Sequence, residues 1–207
     1  TDAATLRNYH GGNGLLQRGL YDLAADEYRA FLKAHSEHPK APMARYGLAV
    51  CEFRRGSAEA ALDQLQQLPD AADFAFDAEA RLMRGQCLLL LKQPAEAADA
   101  LQGMLKHHAE HKLAPDAAAL LVESLFRAED LDEAIHAAKS AAEKWPDHPT
   151  RERVLLFESM ALSAIGKHDE AAQGCEAVLR EFPAGALVES ARILAAQSFH
   201  RCGKLAD

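Results

Sequence analysis

The sequence predicts an all-α protein, an α-solenoid of antiparallel helical hairpins with about five repeats and a partial sixth. Two observations carry that expectation. Segments opening on a turn recur as "GLYDLA" from Gly19, "GSAEAA" from Gly56, "QPAEAA" from Gln93, "EDLDEA" from Glu129 and "GKHDEA" from Gly166, and "GKLAD" follows from Gly203. The turns are therefore 37, 37, 36, 37 and 37 residues apart. Apolar residues also recur at three- and four-residue spacing on both sides of the turns, which is the signature of amphipathic helices.

Along the chain, each element has a local reason. In the first unit "HGGNG" places Gly11, Gly12 and Gly14 in the first helix, a loss of about 2–3 kcal/mol of helix propensity relative to alanine, so this helix is expected to fray or break there. After Gly19, the residues Leu23, Tyr28, Phe31 and Leu32 line one face of a second helix that stops before Pro39. The second unit repeats the scheme with Tyr46, Ala49, Val50 and Phe53 before the turn and Pro69 after its second helix. Phe74 and Phe76 lead into the third unit and are expected to cap the apolar seam of its first helix, while Pro94 opens the second, where a missing N–H costs little.

The fourth unit has Leu121, Val122, Leu125 and Phe126 before its turn, then Trp145 stacking at a helix end, then Pro146 and Pro149. Val178, Leu179 and Phe182 face inward in the fifth, which ends at Pro183. A sixth first helix is expected over Ala186 to Arg201, with Leu187, Ile193, Leu194 and Phe199 poorly covered. Five residues after the complete turns stand Ala24, Ala61, Ala98, Ala134 and Ala171, small enough for two helices to approach closely where they cross.

Composition narrows the function classes. A hydrophobic content of 49% without low-complexity tracts describes a folded chain. The longest apolar runs, such as Ala117 to Val122, fall far below the roughly 20 residues that span a bilayer. The net charge of −8 opposes contact with a phosphate backbone and argues against a nucleic-acid partner. Cys51, Cys87, Cys175 and Cys202 show no CxxC spacing and sit in apolar helical surroundings, as small buried thiols do.

One stretch has the look of chemistry. In "KHHAEH", His107, Glu110 and His111 fit the H-x-x-E-H pattern of inverted zinc proteases. The first unit carries "LKAHSEH" at the equivalent helix end, however, with Lys33 and Glu37 in place of the histidines such a site requires. The motif therefore reads as a polar helix end repeated along the array, its imidazoles favourable near the helix C-terminus. No serine, cysteine or carboxylate constellation and no Gly-rich phosphate loop stands out, so neither catalysis nor a cofactor nor a bound metal is expected.

Gly19, Tyr21, Ala24, Tyr28, Phe31 and Pro39, followed by Tyr46, Ala49 and Gly56, resemble the tetratricopeptide repeat, and the resemblance runs over the whole chain. Residues 1–207 are accordingly expected to form a single array, a piece of a longer protein. The 37-residue period and "EYRAFLKAHSEHPKAPMARYGLAVCEFRRG" are similar to bacterial envelope members, including the barrel-assembly lipoprotein and the Tol-Pal coordinator, rather than to the usual period of about 34. That likeness implies a protein-interaction scaffold with a periplasmic or envelope location. Later units depart from the pattern, with Ala58, Ala95 and His168 where Tyr21 stands in the first.

The resemblance further implies that first helices line a concave face that binds a protein or peptide segment. Two residues before the turns stand Gln17, Arg54, Leu91, Arg127, Ala164 and Arg201, and six before them Asn13, Val50, Cys87, Glu123, Met160 and Gln197. Candidate partner-binding residues are Asn13, Tyr46, Arg54, Arg84, Glu123, Phe126, Arg127, Phe157, Gln197 and Arg201. Arginines at one level of the groove, with Tyr46, Phe126 and Phe157 between them, suit a partner carrying acidic groups. Only Asn13 and Arg84 match the carboxylate clamp of chaperone-binding relatives, so a cochaperone is not expected. The other reading is a regulatory or oligomerisation array attached to an enzyme or sensor domain.

"GKLAD" opens a further hairpin, so the chain is expected to continue beyond Asp207 and this piece to self-associate through its C-terminal end. Purified without a histidine tag, the protein should carry no stoichiometric zinc, and Glu110→Gln should change no peptidase reading. Stoichiometric metal by atomic emission, with peptide cleavage lost in that variant, is the opposite result.

Overall fold

A computed structural model describes residues 2–69 and 74–203. Its elements are α1 (Asp2–Thr5), α2 (Arg7–Gln17), α3 (Tyr21–Ala34), α4 (Ala41–Arg54), α5 (Ala58–Gln66), α6 (Asp77–Leu90), α7 (Pro94–His107), α8 (Ala114–Arg127), α9 (Leu131–Lys144), α10 (Arg151–Ala164), α11 (His168–Glu181) and α12 (Val188–Arg201). The chain divides into two compact units, Thr1–Gln93 and Pro94–Asp207. In the first, α2 packs on α3, α3 on α4, α4 on α5 and α5 on α6; in the second, each helix from α7 to α12 packs on the next.

What turns each hairpin is a Schellman closure. After α2 the Gly19 N–H donates to the Leu16 carbonyl and the Leu20 N–H to the Leu15 carbonyl, both at 3.0 Å, and the same pair recurs at Gly56–Ser57, Lys92–Gln93, Glu129–Asp130 and Gly166–Lys167. The residue at the centre is left-handed each time: Gly19, Gly56, Gly166 and Gly203, but also Lys92 (φ 59°) and Glu129 (φ 64°). A side chain in that region costs about 1–2 kcal/mol, so the third and fourth turns are held by their hydrogen bonds against a local preference.

These turns correct one register. The third turn centres on Lys92, not Gln93, and the alanine five residues on is Ala97, fully buried like Ala24, Ala61, Ala134 and Ala171 at 0% exposure, whereas Ala98 retains 4%. Pro94 opens α7 as expected.

Between hairpins a second turn recurs. His38 Nδ1 accepts the Lys40 N–H (3.0 Å), His111 Nδ1 the Leu113 N–H (3.3 Å) and His148 Nδ1 the Thr150 N–H (3.3 Å). The backbone pattern is shared as well: the Ala41, Ala114 and Arg151 N–H groups reach the carbonyls of His38, His111 and His148. His111 is thus a turn-closing residue with one ring nitrogen already occupied, and His107 is an exposed residue at the end of α7. Trp145, the C-cap of α9, packs against the cluster of Ala118, Ala119, Val122, Ala138, Ala141 and Val154.

Contrary to expectation, "HGGNG" does not break the first helix. α2 runs unbroken through it because Gly12 makes room for the Tyr28 ring: a Cβ there would meet that ring at 2.8 Å, and one on Gly47 of α4 would meet it at 2.5 Å. Tyr28 is therefore clasped between two glycines, and its hydroxyl donates to Asn13 Oδ1 at 2.7 Å. At the other end α12 begins at Val188 rather than Ala186, and Leu187, Leu194 and Phe199 are partly buried against Leu155, Leu156, Cys175, Val178, Ala191 and Ala195; only Ile193 of the four expected residues is exposed, at 53%. Lys204 to Asp207 of "GKLAD" lie outside the described residues.

Gly14 has open space around it. Gly14→Ala should raise stability by about 0.5–1 kcal/mol, while Gly12→Ala should cost about 1–3 kcal/mol by overpacking, both read from urea midpoints. Burial pushes the thiols of Cys51, Cys87 and Cys175 up to about 11, whereas Cys202 is partly exposed. Ellman's reagent at pH 8 should therefore react first at Cys202 and reach the other three only on unfolding.

Candidate functional site

Some first helices lie against one another within a unit. In the first unit α2 contacts α4; in the second, α10 lies between α8 and α12. The candidate residues distribute unequally over these helices.

In the first unit, Asn13 spends its carbonyl oxygen on Tyr28. Tyr46 stacks on Phe76, with centroids 4.7 Å apart and planes 9° from parallel, and Phe74 meets Tyr46 edge-on at 6.3 Å. That burial pushes the Tyr46 phenol up to about 12. Phe74 and Phe76 thus cover Tyr46 of α4 rather than capping the α6 seam alone. Arg54 is exposed at the end of α4 and makes no ion pair or hydrogen bond among the described residues. Arg84 borders a cleft of about 190 Å³ with Leu65, Phe74, Asp77 and Arg81, whose Nε donates to Asp77 Oδ2 at 2.7 Å.

The second unit brings four candidates together. Glu123 is 9% exposed, and its carboxylate is held from both sides: Arg127 Nε donates to Oε1 at 2.9 Å from the next turn of α8, and Arg153 Nη1 to Oε2 at 3.2 Å from α10. Beside this group the Phe126 and Phe157 rings lie 5.7 Å apart at 54°. Leu120, Met160 and Leu194 are partly exposed on the same three helices. Gln197 and Arg201 are exposed on α12.

Arg127 is already engaged inside the protein: the nearly buried Glu123 occupies part of its fork, and a buried carboxylate without a cation would be strongly unfavourable. One register changes. With the third turn at Lys92, the residue two before it is Leu90, 65% exposed, not Leu91, and six before it is Gln86, not the fully buried Cys87. The other residues two before their turns, Gln17, Arg54, Arg127, Ala164 and Arg201, are all exposed too.

Sequence reasoning missed Arg153. Its link to Glu123 spans 30 residues and joins different repeats, so no local spacing announces it, whereas the i,i+4 pairing of Glu123 with Arg127 was available on inspection. Also missed was a groove of about 500 Å³ between α7 and α9, floored by Ala118 and Leu121 and walled by Leu105, Ala137, Ala141 and Trp145. Lys144 crosses its end, with Nζ donating to the Ala109 carbonyl (3.0 Å) and Glu110 Oε1 (2.9 Å) and standing 4.9 Å from the Trp145 ring centroid. Glu110, the would-be general base of the zinc motif, is thus an exposed ion-pair partner of Lys144. Among the described residues no three His, Cys, Asp or Glu side chains are grouped to hold a metal, and no helix is long and apolar enough to cross a membrane.

Comparison with protein families matches the tetratricopeptide repeat at residues 9–76, 93–149 and 119–186, which is more than half of the chain. Comparison with curated proteins finds no match. Among solved structures, the chain is similar to YrrB, described as a TPR protein with an unusual peptide-binding site, at TM-score 0.73 and 18% identity over 88% of each chain. It is also similar to MamA, at TM-score 0.70 and 20% identity over 100% of this chain and 99% of that one. A tetratricopeptide repeat protein from Parabacteroides merdae ATCC 43184 matches at TM-score 0.76 and 14% identity, over 97% of this chain and 74% of the other. At these identities the structures speak to the fold, and the family match speaks to descent: the chain belongs to the tetratricopeptide repeat family.

Proposed function

We propose that the protein is a non-catalytic interaction scaffold of a bacterial envelope or assembly complex, in which residues 1–207 act as one array and the first-helix face holds a segment of a partner protein. The observation that carries this reading is the apolar set Leu120, Phe126, Phe157, Met160 and Leu194, partly exposed on first helices that pack through Ala118, Val122, Leu155, Leu156, Ala191 and Ala195. Partly exposed aromatic and aliphatic side chains on a rigid frame lose little entropy on binding, which favours a docking surface. Support for the envelope context comes from the 37-residue spacing of the turns and the "FLKAHSEHP" type of helix end. YrrB, of the same fold, is described as having a peptide-binding site. Ile193, half exposed on α12, offers an apolar contact for self-association.

Site-specific photo-crosslinking in cells distinguishes the faces. A crosslinker at Met160 or Leu194 should yield partner adducts that fall several-fold in a Phe157→Ala background, while one at Lys139 on α9 should yield none. Adducts confined to Lys139 would move the site to the second-helix side. Fractionation of the same cells reads the compartment, and adducts found with cytosolic proteins alone would remove the envelope assignment.

A further inference from the structure

Two nearly buried glutamates in this chain are each gripped by two arginines, and the two groups differ in how they are closed. Glu52 of α4 is bound by Arg29 and by Arg55 (3.0 Å); Arg29 also pairs with Asp26 (2.9 Å) and Arg55 with Asp22 (2.7 Å). Three carboxylates there face two guanidinium groups. Glu123 is bound by Arg127 (2.8 Å) and Arg153 (3.2 Å), and neither arginine pairs with a second carboxylate among the described residues. One carboxylate here faces two guanidinium groups, a local excess of positive charge in a protein of net charge −8.

That excess is accessible. The Arg127 and Arg153 side chains are 54% and 43% exposed, while the side chain of Glu123 beneath them is 12% exposed. Arg127 engages Glu123 through Nε and Nη2 and Arg153 through Nη1, so Nη1 of Arg127 and both Nε and Nη2 of Arg153 have no partner among the described residues. Guanidinium groups pre-positioned by an internal carboxylate present their remaining N–H donors at little further entropic cost. Alongside, Phe126 and Phe157 form the apolar neighbour.

We propose that Arg127 and Arg153, held by Glu123, form a receptor for a carboxylate of the bound peptide, with the peptide's adjacent apolar side chain resting on Phe126 and Phe157. The inference rests on the reading that the first-helix face holds a partner segment, and names the chemistry of that segment. Glu123 is then an internal competitor as well as a positioning residue. It fixes the two arginines but consumes part of their charge, so its neutralisation should strengthen binding of an acidic ligand.

The test uses the full chain and two fluorescein-labelled, end-capped peptides, one alternating glutamate with leucine and one with glutamine in place of every glutamate, read by fluorescence anisotropy. The glutamate peptide should bind about tenfold tighter than its glutamine counterpart, the scale of one charge-assisted contact. Arg153→Met should remove about that factor for the glutamate peptide and leave the glutamine peptide unchanged. Glu123→Gln should tighten the glutamate peptide severalfold, and because both arginines are half exposed it strands no buried charge; circular dichroism confirms the helices of each variant. Equal affinity for the two peptides, no binding of either, or no gain in Glu123→Gln overturns the carboxylate receptor. Crosslinks at Met160 and Leu194 surviving any of those outcomes would leave the first-helix face a partner site of other chemistry, and their absence would remove the site itself.

Discussion

Close approach of the two helices of a hairpin at a single small residue is the constraint on which the rest of this structure depends. Ala24, Ala61, Ala97, Ala134 and Ala171 each lie five residues after a left-handed turn residue and have no exposed surface. A larger side chain at that point would spread the helices and spoil the burial of every apolar residue around it, since interiors at crystal-like packing density have no slack for another methylene. The Schellman closure fixes the alanine's position by fixing the helix end, strongly enough that Lys92 and Glu129 accept a left-handed backbone that glycine would adopt without strain. Local turn chemistry and close packing are thus one device repeated.

Polar residues serve the same frame in ways that mimic function. The histidines at 38, 111 and 148 close the turns between hairpins by accepting a backbone N–H, and it is this repeated duty that placed His111 within reach of a zinc-protease pattern. The nearly buried Glu52 and Glu123 anchor arginines from two different helices or turns, joining neighbouring elements by charge where apolar contact ends. Tyr28 is the largest such case: its ring fills the space of two missing Cβ atoms while Asn13 satisfies its hydroxyl. Asn13 is therefore occupied in holding the fold, and Arg127 is divided between fold and surface.

The proposed partner surface inherits its character from this division. In the first unit aromatic residues cover one another, Tyr46 beneath Phe76, and the glutamate cluster is neutralised by Asp22 and Asp26. In the second, Phe126 and Phe157 meet across adjoining first helices and the arginines exceed the carboxylates. A ligand that offers both an apolar side chain and an acid would find both complements where α8 packs on α10, whereas in the first unit the aromatic and arginine features are bound up internally.

The amino-acid sequence by itself determined the fold class, the hairpin period and the helix-ending prolines, because all of these follow from spacing within one helix or one turn. It misread the third turn by one residue, since neither Lys92 nor Gln93 is a glycine and a left-handed lysine leaves no mark in composition. It likewise took three glycines in α2 for weakness, when Gly12 is required by a ring sixteen positions away in the next helix. Only the tertiary structure decided which candidate residues meet. Glu123, Arg127, Phe126 and Phe157 converge because α8 packs on α10, and Arg153 joins them across 30 residues. Periodicity fixes which side of a helix a residue occupies; what stands opposite depends on how the next hairpin is rotated against it, and that is set by packing between residues far apart in the chain.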